Sequence, residues 1–111
     1  PLIKGKWLNE GQHLDLVGSY KQDMREVDDK CLERASIFID TKKALDESGD
    51  LFIPIKNKIL SRDDIRANMF QLLTGTEAGR NSKNEITIFK SVGHASEDLA
   101  AAIYFYHKAN E

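Results

Sequence analysis

Three short apolar runs, separated by amphipathic stretches, do most to limit the folds open to this chain. His13 to Ser19 (HLDLVGS) is short, apolar and closed by a glycine, while Ser36 to Asp40 (SIFID) and Ile86 to Lys90 (ITIFK) are compact and rich in β-branched or aromatic residues. Each reads as a strand buried on at least one face. Between the first two, Val27 to Arg34 sets Val27, Cys31 and Ala35 at helical spacing with charges between them, which predicts a short amphipathic helix. Thr41 is placed to cap another, running through about Glu47 and ended by Ser48 and Gly49. Leu51 to Ile55 is apolar, but Pro54 demotes it to an edge or extended segment. Ser61-Arg62-Asp63-Asp64 reads as a helix start with an acidic first turn, followed by a stripe of Ile65, Met69, Leu72 and Leu73 up to Gly75. Thr76 to Glu85 is a polar loop. A long helix is predicted from about Ala95 to Ala109, with Leu99, Ala102, Ile103 and Tyr106 on one face. Strands alternating with helices predict an α/β fold: a narrow parallel sheet of about three strands with helical crossovers. A sheet so narrow has edges that need a cover or a partner.

A chain of 111 residues is one domain's worth. Its 16 Lys and Arg against 18 Asp and Glu leave a formal net charge of -2. With no block of like charge, that composition offers no bulk attraction for nucleic acid or an anionic membrane. No apolar run approaches the length of a membrane span. Cys31 is the only cysteine, which excludes a disulfide framework or a cysteine metal cage and fits a reducing, cytoplasmic setting. No signal peptide is recognisable. The first residue is Pro1, not Met, so the expectation is either processing or a piece of a longer protein.

Ligands of open parallel α/β sheets sit beyond the carboxyl ends of the strands. That rule points to Val17-Gly18-Ser19-Tyr20 and to Lys90-Ser91-Val92-Gly93, each with a glycine that lets a backbone approach a ligand closely. The second segment also leads into the long helix, whose first N–H groups favour an electron-rich partner. The alternative reading is structural: a glycine in a strand-to-helix turn and a serine that caps the helix. The G-x-G-x-x-G fingerprint, the P-loop, H-E-x-x-H and G-x-S-x-G are all absent. His13, His94 and His107 lack metal-ligand spacing; His94 falls within the second turn and is the histidine placed to face a site. The charged run Asp23, Arg25, Glu26, Asp28 and Asp29 reads as a solvated helix N-terminus. Tyr104, Phe105 and Tyr106 read as core and interface aromatics.

Several segments together resemble the ornithine cyclodeaminase and mu-crystallin family: PLIKGKWLNEG, GQHLDLVGSYKQDMREVDD, IFIDTKKALDESGDL and EITIFKSVGHASEDLAAA. They are collinear and cover nearly the whole chain. The resemblance implies the C-terminal portion of an NAD(P)-dependent enzyme. Residues 1–111 would form one partial Rossmann-like domain, with 1–90 the C-terminal half of the sheet and its helices. Residues 91–111 would be a terminal helix that returns toward a dimerisation domain. It also explains the missing fingerprint, because the glycine-rich pyrophosphate loop of such enzymes lies upstream.

By the same resemblance, Val17, Gly18, Ser19 and Ser91 match positions beside the nicotinamide of NAD or NADP. Val92 and His94 match the substrate side, and no metal is implied. The resemblance also implies a small amino or imino acid as substrate and a homodimer, with neither nucleic acid nor membrane as partner. True cyclodeaminases carry a proton-transferring Asp where this chain has Tyr20. That difference brings the chain nearer the mu-crystallin-like ketimine reductases and amino-acid dehydrogenases. Glu10 and Gln22, where the family often has proline, and His94, where an apolar residue is usual, are further departures. The implied chemistry is hydride transfer between a C=N or amine carbon and the cofactor, with Tyr20 an orienting group first, since an ordinary tyrosine titrates near ~10. An isolated chain without the pyrophosphate loop is expected to be inactive. The alternative is a non-catalytic half-domain that associates with itself or with another chain.

Overall fold

The computed structural model describes residues 1–93 and 95–109, the side chains of 95–101 excepted. Its strands are β1 (His13–Leu16), β2 (Ala35–Ile39), β3 (Ile65–Asn68) and β4 (Ile86–Lys90). They lie in the order β1-β4-β2-β3, and every neighbouring pair is parallel. The helices are α1 (Asp29–Arg34), α2 (Ala44–Glu47), α3 (Gly49–Lys56), α4 (Met69–Thr74) and α5 (Ala95–Ala109). The expected parallel α/β sheet is therefore present, one strand wider than the sequence predicts.

Alternation along the strands sorts the residues between two unlike faces. One carries Leu14, Leu16, Ile37, Ile39, Ile86 and Ile88, and packs on Cys31 and Leu32 of α1, Ala44 and Leu45 of α2, and Leu51 of α3. Burying each large aliphatic side chain here contributes about 1.5–3 kcal/mol. The other face carries His13, Asp15, Phe38, Thr87 and Phe89 and lines an open cleft of about 540 Å³, flanked by Met69 and Leu72 of α4 and by Gly79 and Arg80.

Two predicted elements change identity. Ile65 is the first residue of β3 and not of a helix; the helix begins only at Met69, where the Asn68 side chain accepts from the Gln71 N–H and the Gln71 side chain accepts from the Asn68 N–H. Ser61 starts a single 3₁₀ turn, Arg62–Asp64, through its own capping box. The apolar stripe is therefore split: Ile65 packs against the core, Met69 and Leu72 line the cleft, and Leu73, with its neighbour Phe70, faces solvent at 80% and 71% exposure. Gly75, at φ 76°, closes α4 in the left-handed conformation that glycine adopts without strain.

Leu51 to Ile55 is not extended. Pro54 sits inside α3, buried with Leu51, and its missing N–H removes one bond from a helix of eight residues. Ser48 starts that helix by accepting from the Asp50 N–H, so Ser48 and Gly49 open one helix as they close another. Thr41 is not the cap of α2. The residue before that helix is Lys43, whose side chain makes no capping bond, while Thr41 offers its backbone oxygen to the Ala44 N–H.

Candidate functional site

β1 and β4 end side by side, with Leu16 paired to Lys90. The Ser91 N–H donates to the Leu16 carbonyl at 3.0 Å, and the Asp40 N–H donates to the Lys90 carbonyl at 3.2 Å. The two turns singled out from the sequence therefore adjoin, with the end of β2 beside them.

A carboxylate gathers the backbone of each turn. Glu26 Oε1 accepts from the Gly18 N–H at 2.8 Å and the Ser19 N–H at 3.1 Å. Asp40 Oδ2 accepts from the Val92 and Gly93 N–H groups, both at 3.1 Å, and its Oδ1 accepts from the Thr41 N–H at 2.7 Å. A Cβ at Gly18 would sit 3.0 Å from Glu26 Oε2, so any larger residue there would push on this carboxylate. Lys90, wholly buried, brings its ammonium to 3.3 Å from Glu26 Oε1 and 3.8 Å from Asp50 Oδ2. Asp50, also wholly buried, accepts the Glu26 and Val27 N–H groups on Oδ1 at 2.8 and 3.0 Å. The Ser19 hydroxyl is turned inward, bonded to the Met24 carbonyl and lying 2.8 Å from Ser48 Oγ. Gly49 fits beneath this loop only because it lacks a Cβ, which would collide with the Met24 and Gln22 carbonyl oxygens.

Among the residues expected at a site, Val17 and Ser91 line the carboxyl end of the cleft, and Val17 is 64% exposed. Tyr20 stands in solvent at 57% exposure, with the Lys21 ammonium 6.0 Å from its ring centroid. Val92 packs against the core, and Ser19 is buried with both its N–H and its hydroxyl engaged inside the protein. His94 lies outside the described residues.

Sequence reasoning assigns no internal supporting role to Glu26, Asp40, Asp50 or Lys90. The charged run around Glu26 was expected to be solvated, and part of it is spent internally. Asp28 caps α1 through the Cys31 N–H at 3.1 Å and also accepts the Gly5 N–H at 2.8 Å. One signal was available: Lys90 shares the i, i+2 face of Ile86 and Ile88 in ITIFK. A cation on that buried face needs carboxylates around it.

The other end of the cleft is closed by a polar clasp. Arg80 donates to Thr87 Oγ1 at 2.9 Å, and the His13 ring lies 2.7 Å from the same oxygen. Glu85 pairs with Arg66 and accepts from Ser36 Oγ at 2.6 Å and the Asn81 N–H at 2.8 Å. The Ser36 hydroxyl first, then the Asn81 N–H and the Arg66 guanidinium, hold its carboxyl down at about 2. Cys31 is inert by contrast: burial, then the neighbouring Asp28, pushes its thiol up to about 11. No group of three or more potential metal ligands occurs among the described residues. Among the same residues, no helix is long and apolar enough to cross a membrane.

The whole chain, residues 1–111, matches the sequence profile of the Ornithine cyclodeaminase/mu-crystallin family. The chain belongs to that family. An uncharacterised Schizosaccharomyces pombe protein is 44% identical over all of this chain and 35% of its own length. The Δ1-pyrroline-2-carboxylate reductase of Thermococcus litoralis, solved in complex with NADH and L-proline, superposes with a TM-score of 0.90 at 39% identity. That match covers 98% of this chain and 34% of the reductase. An archaeal alanine dehydrogenase dimer with bound NAD gives a TM-score of 0.87 at 30% identity, over 98% of this chain and 34% of that one. The chain thus spans about a third of the length of these family members, and the fold they share with it is Rossmann-like.

Proposed function

We propose that this chain acts as the C-terminal third of an NAD(P)-dependent oxidoreductase that interconverts an amino acid and its imine, or reduces a cyclic ketimine, by hydride transfer. The observation that carries the reading is the adjacency of the Val17–Tyr20 and Ser91–Gly93 turns at the carboxyl edge of the sheet, in a chain that superposes on a reductase holding NADH and L-proline. When bound, the cofactor supplies or accepts the hydride.

The residues present suit the nicotinamide end of such a cofactor and not its pyrophosphate. The N–H groups of Gly18, Ser19, Val92 and Gly93 are already committed to Glu26 and Asp40, so a phosphate would have to displace a carboxylate to use them. Val17 and Ser91 would flank the ring, with Gly18 and Ser19 fixing the turn behind it. Val92 and His94 belong to the substrate side. Tyr20, exposed in the turn after β1, would orient the substrate nitrogen and pass a proton to it, the role an Asp fills in cyclodeaminases.

Residues 91–111 would return α5 toward a dimerisation domain, giving a homodimer in the cytoplasm. The exposed Ile103, Tyr104, Phe105 and Tyr106 on that helix support this placement. They also favour a second reading, a non-catalytic half-domain that associates through the same aromatics. Alone, the 111-residue chain should neither bind NAD(P)H nor turn over an imine. Grafted in place of the matching third of the Thermococcus reductase, it should restore NADH-dependent imine reduction. Turnover by the isolated chain, or a folded graft that binds NADH without any turnover, would overturn the first reading. Light scattering bears on the second: self-association predicts an oligomer of the chain by itself, and a stable monomer counts against it.

A further inference from the structure

We propose that Lys90, together with Glu26 and Asp50, is a positioning residue that locks the two turns of the hydride-transfer site to each other. The inference rests on the oxidoreductase reading for its kinetic consequence, but the lock itself stands on the geometry.

A fully desolvated ammonium is costly, and an apolar side chain of similar length would pack the same space at no such cost. Lys90 occupies the buried face of β4, in line with Ile86 and Ile88, where packing alone calls for an aliphatic residue. What the charge supplies is a connection. Glu26 Oε1 receives three donors, the Gly18 N–H, the Ser19 N–H and Lys90 Nζ. Asp50 fixes the backbone that carries Glu26 by accepting its N–H and that of Val27, and turns its other oxygen to Lys90. Lys90 immediately precedes Ser91, so the ammonium joins the β4 turn to the carboxylate that shapes the β1 turn. A nicotinamide held between these turns takes its distance from the substrate carbon from their spacing. A misplacement of about 1 Å at such a centre costs on the order of 10²-fold in rate.

Two arms test this. In the 111-residue chain, amide exchange by NMR should accelerate at Gly18 and Ser19 at least about tenfold in Lys90→Met, while Ile37 in the sheet centre stays protected. If Lys90→Met does not fold, the same amides are read in the triple variant Lys90→Met/Glu26→Gln/Asp50→Asn, which orphans no buried charge. Unchanged exchange at Gly18 and Ser19 overturns the lock.

In the full-length polypeptide carrying this segment, the triple variant should melt close to wild type and bind NADH within about twofold. Its kcat should fall by about 30-fold or more with KM little altered. A triple variant with wild-type kcat, or one that melts far below wild type, would reduce the triad to a folding role and overturn the proposal. Wild-type polypeptide that fails to bind NADH would instead remove the oxidoreductase reading and leave the exchange arm to judge the lock.

Discussion

Replacing Asp40 with alanine removes one carboxylate that serves three backbone N–H groups in two separate segments. Oδ1 accepts from Thr41 at 2.7 Å, and Oδ2 accepts from Val92 and Gly93 at 3.1 Å each. Asp40 is only 4% exposed, Thr41 and Val92 are half-buried, and Gly93 faces solvent. A hydrogen bond to a charged acceptor contributes about 1.5–3 kcal/mol. The three do not add in full, because the Gly93 N–H meets water once released. Two bonds at the lower value give about 3 kcal/mol, and the orphaned half-buried donors keep the loss from shrinking further. In a domain of this size each kcal/mol moves Tm by about 4 °C, so Asp40→Ala should melt about 12 °C below wild type. Asp40→Asn keeps one acceptor oxygen but turns an NH₂ toward the remaining donors, and should fall in between. Circular dichroism melts at pH 7 measure both. A drop smaller than about 3 °C for Asp40→Ala would refute the idea that this carboxylate holds the two segments together.

Glu85, with its carboxyl depressed from 4.5 to about 2, contributes stability that is complete above pH 4.5 and disappears as pH falls through 2. Glu85→Gln should therefore flatten the acid limb of a Tm–pH profile, and an unaltered limb would mean the clasp is not populated. Cys31 should resist a thiol reagent at pH 8 until denaturant is added, because it is buried and its thiol stays protonated; fast native labelling would show that the helix layer opens. Gly49→Ala should lower Tm measurably, since the new Cβ meets the Met24 and Gln22 carbonyls; a stabilised variant would show that the loop gives way easily. Ser91→Trp, made in the full-length polypeptide, should abolish NADH binding by filling the β4 turn, and unchanged affinity would take Ser91 out of the site.

The strands that form the sheet's centre were legible because their residues leave little alternative. Ile86–Lys90 and Ala95–Ala109 have in the structure the limits their patterns suggest. β3 was hidden because Ile65-Arg66-Ala67-Asn68 is short, lies at the sheet's edge and overlaps a stripe at helical spacing. Arg66 also spends its charge within the fold, its guanidinium lying 5.2 Å from the Phe38 ring centroid. Pro54 misled for a related reason: burial of Leu51 and Pro54 outweighs one lost hydrogen bond. At the site, the rule about carboxyl ends found the two adjoining turns. It did not find the carboxylates that hold them, because Glu26 lies 64 residues from Lys90 and Asp40 lies 52 from Val92. Only the folded arrangement turns an ordinary charged stretch into internal supports.

The strand order has a consequence for how the chain comes into being. β4 sits between β1 and β2, yet it is the last strand to be made. Until Ile86 to Lys90 have left the ribosome, β1 has no partner among these strands, and the His13–Thr87 contact must close a separation of 74 residues. Closure over such a distance is slow and leaves strand edges bare meanwhile. A stop between Asn68 and Ile86 would therefore do more than shorten the product. It would withdraw the strand that joins β1 to the β2–β3 pair and leave those parts of the sheet unconnected to each other.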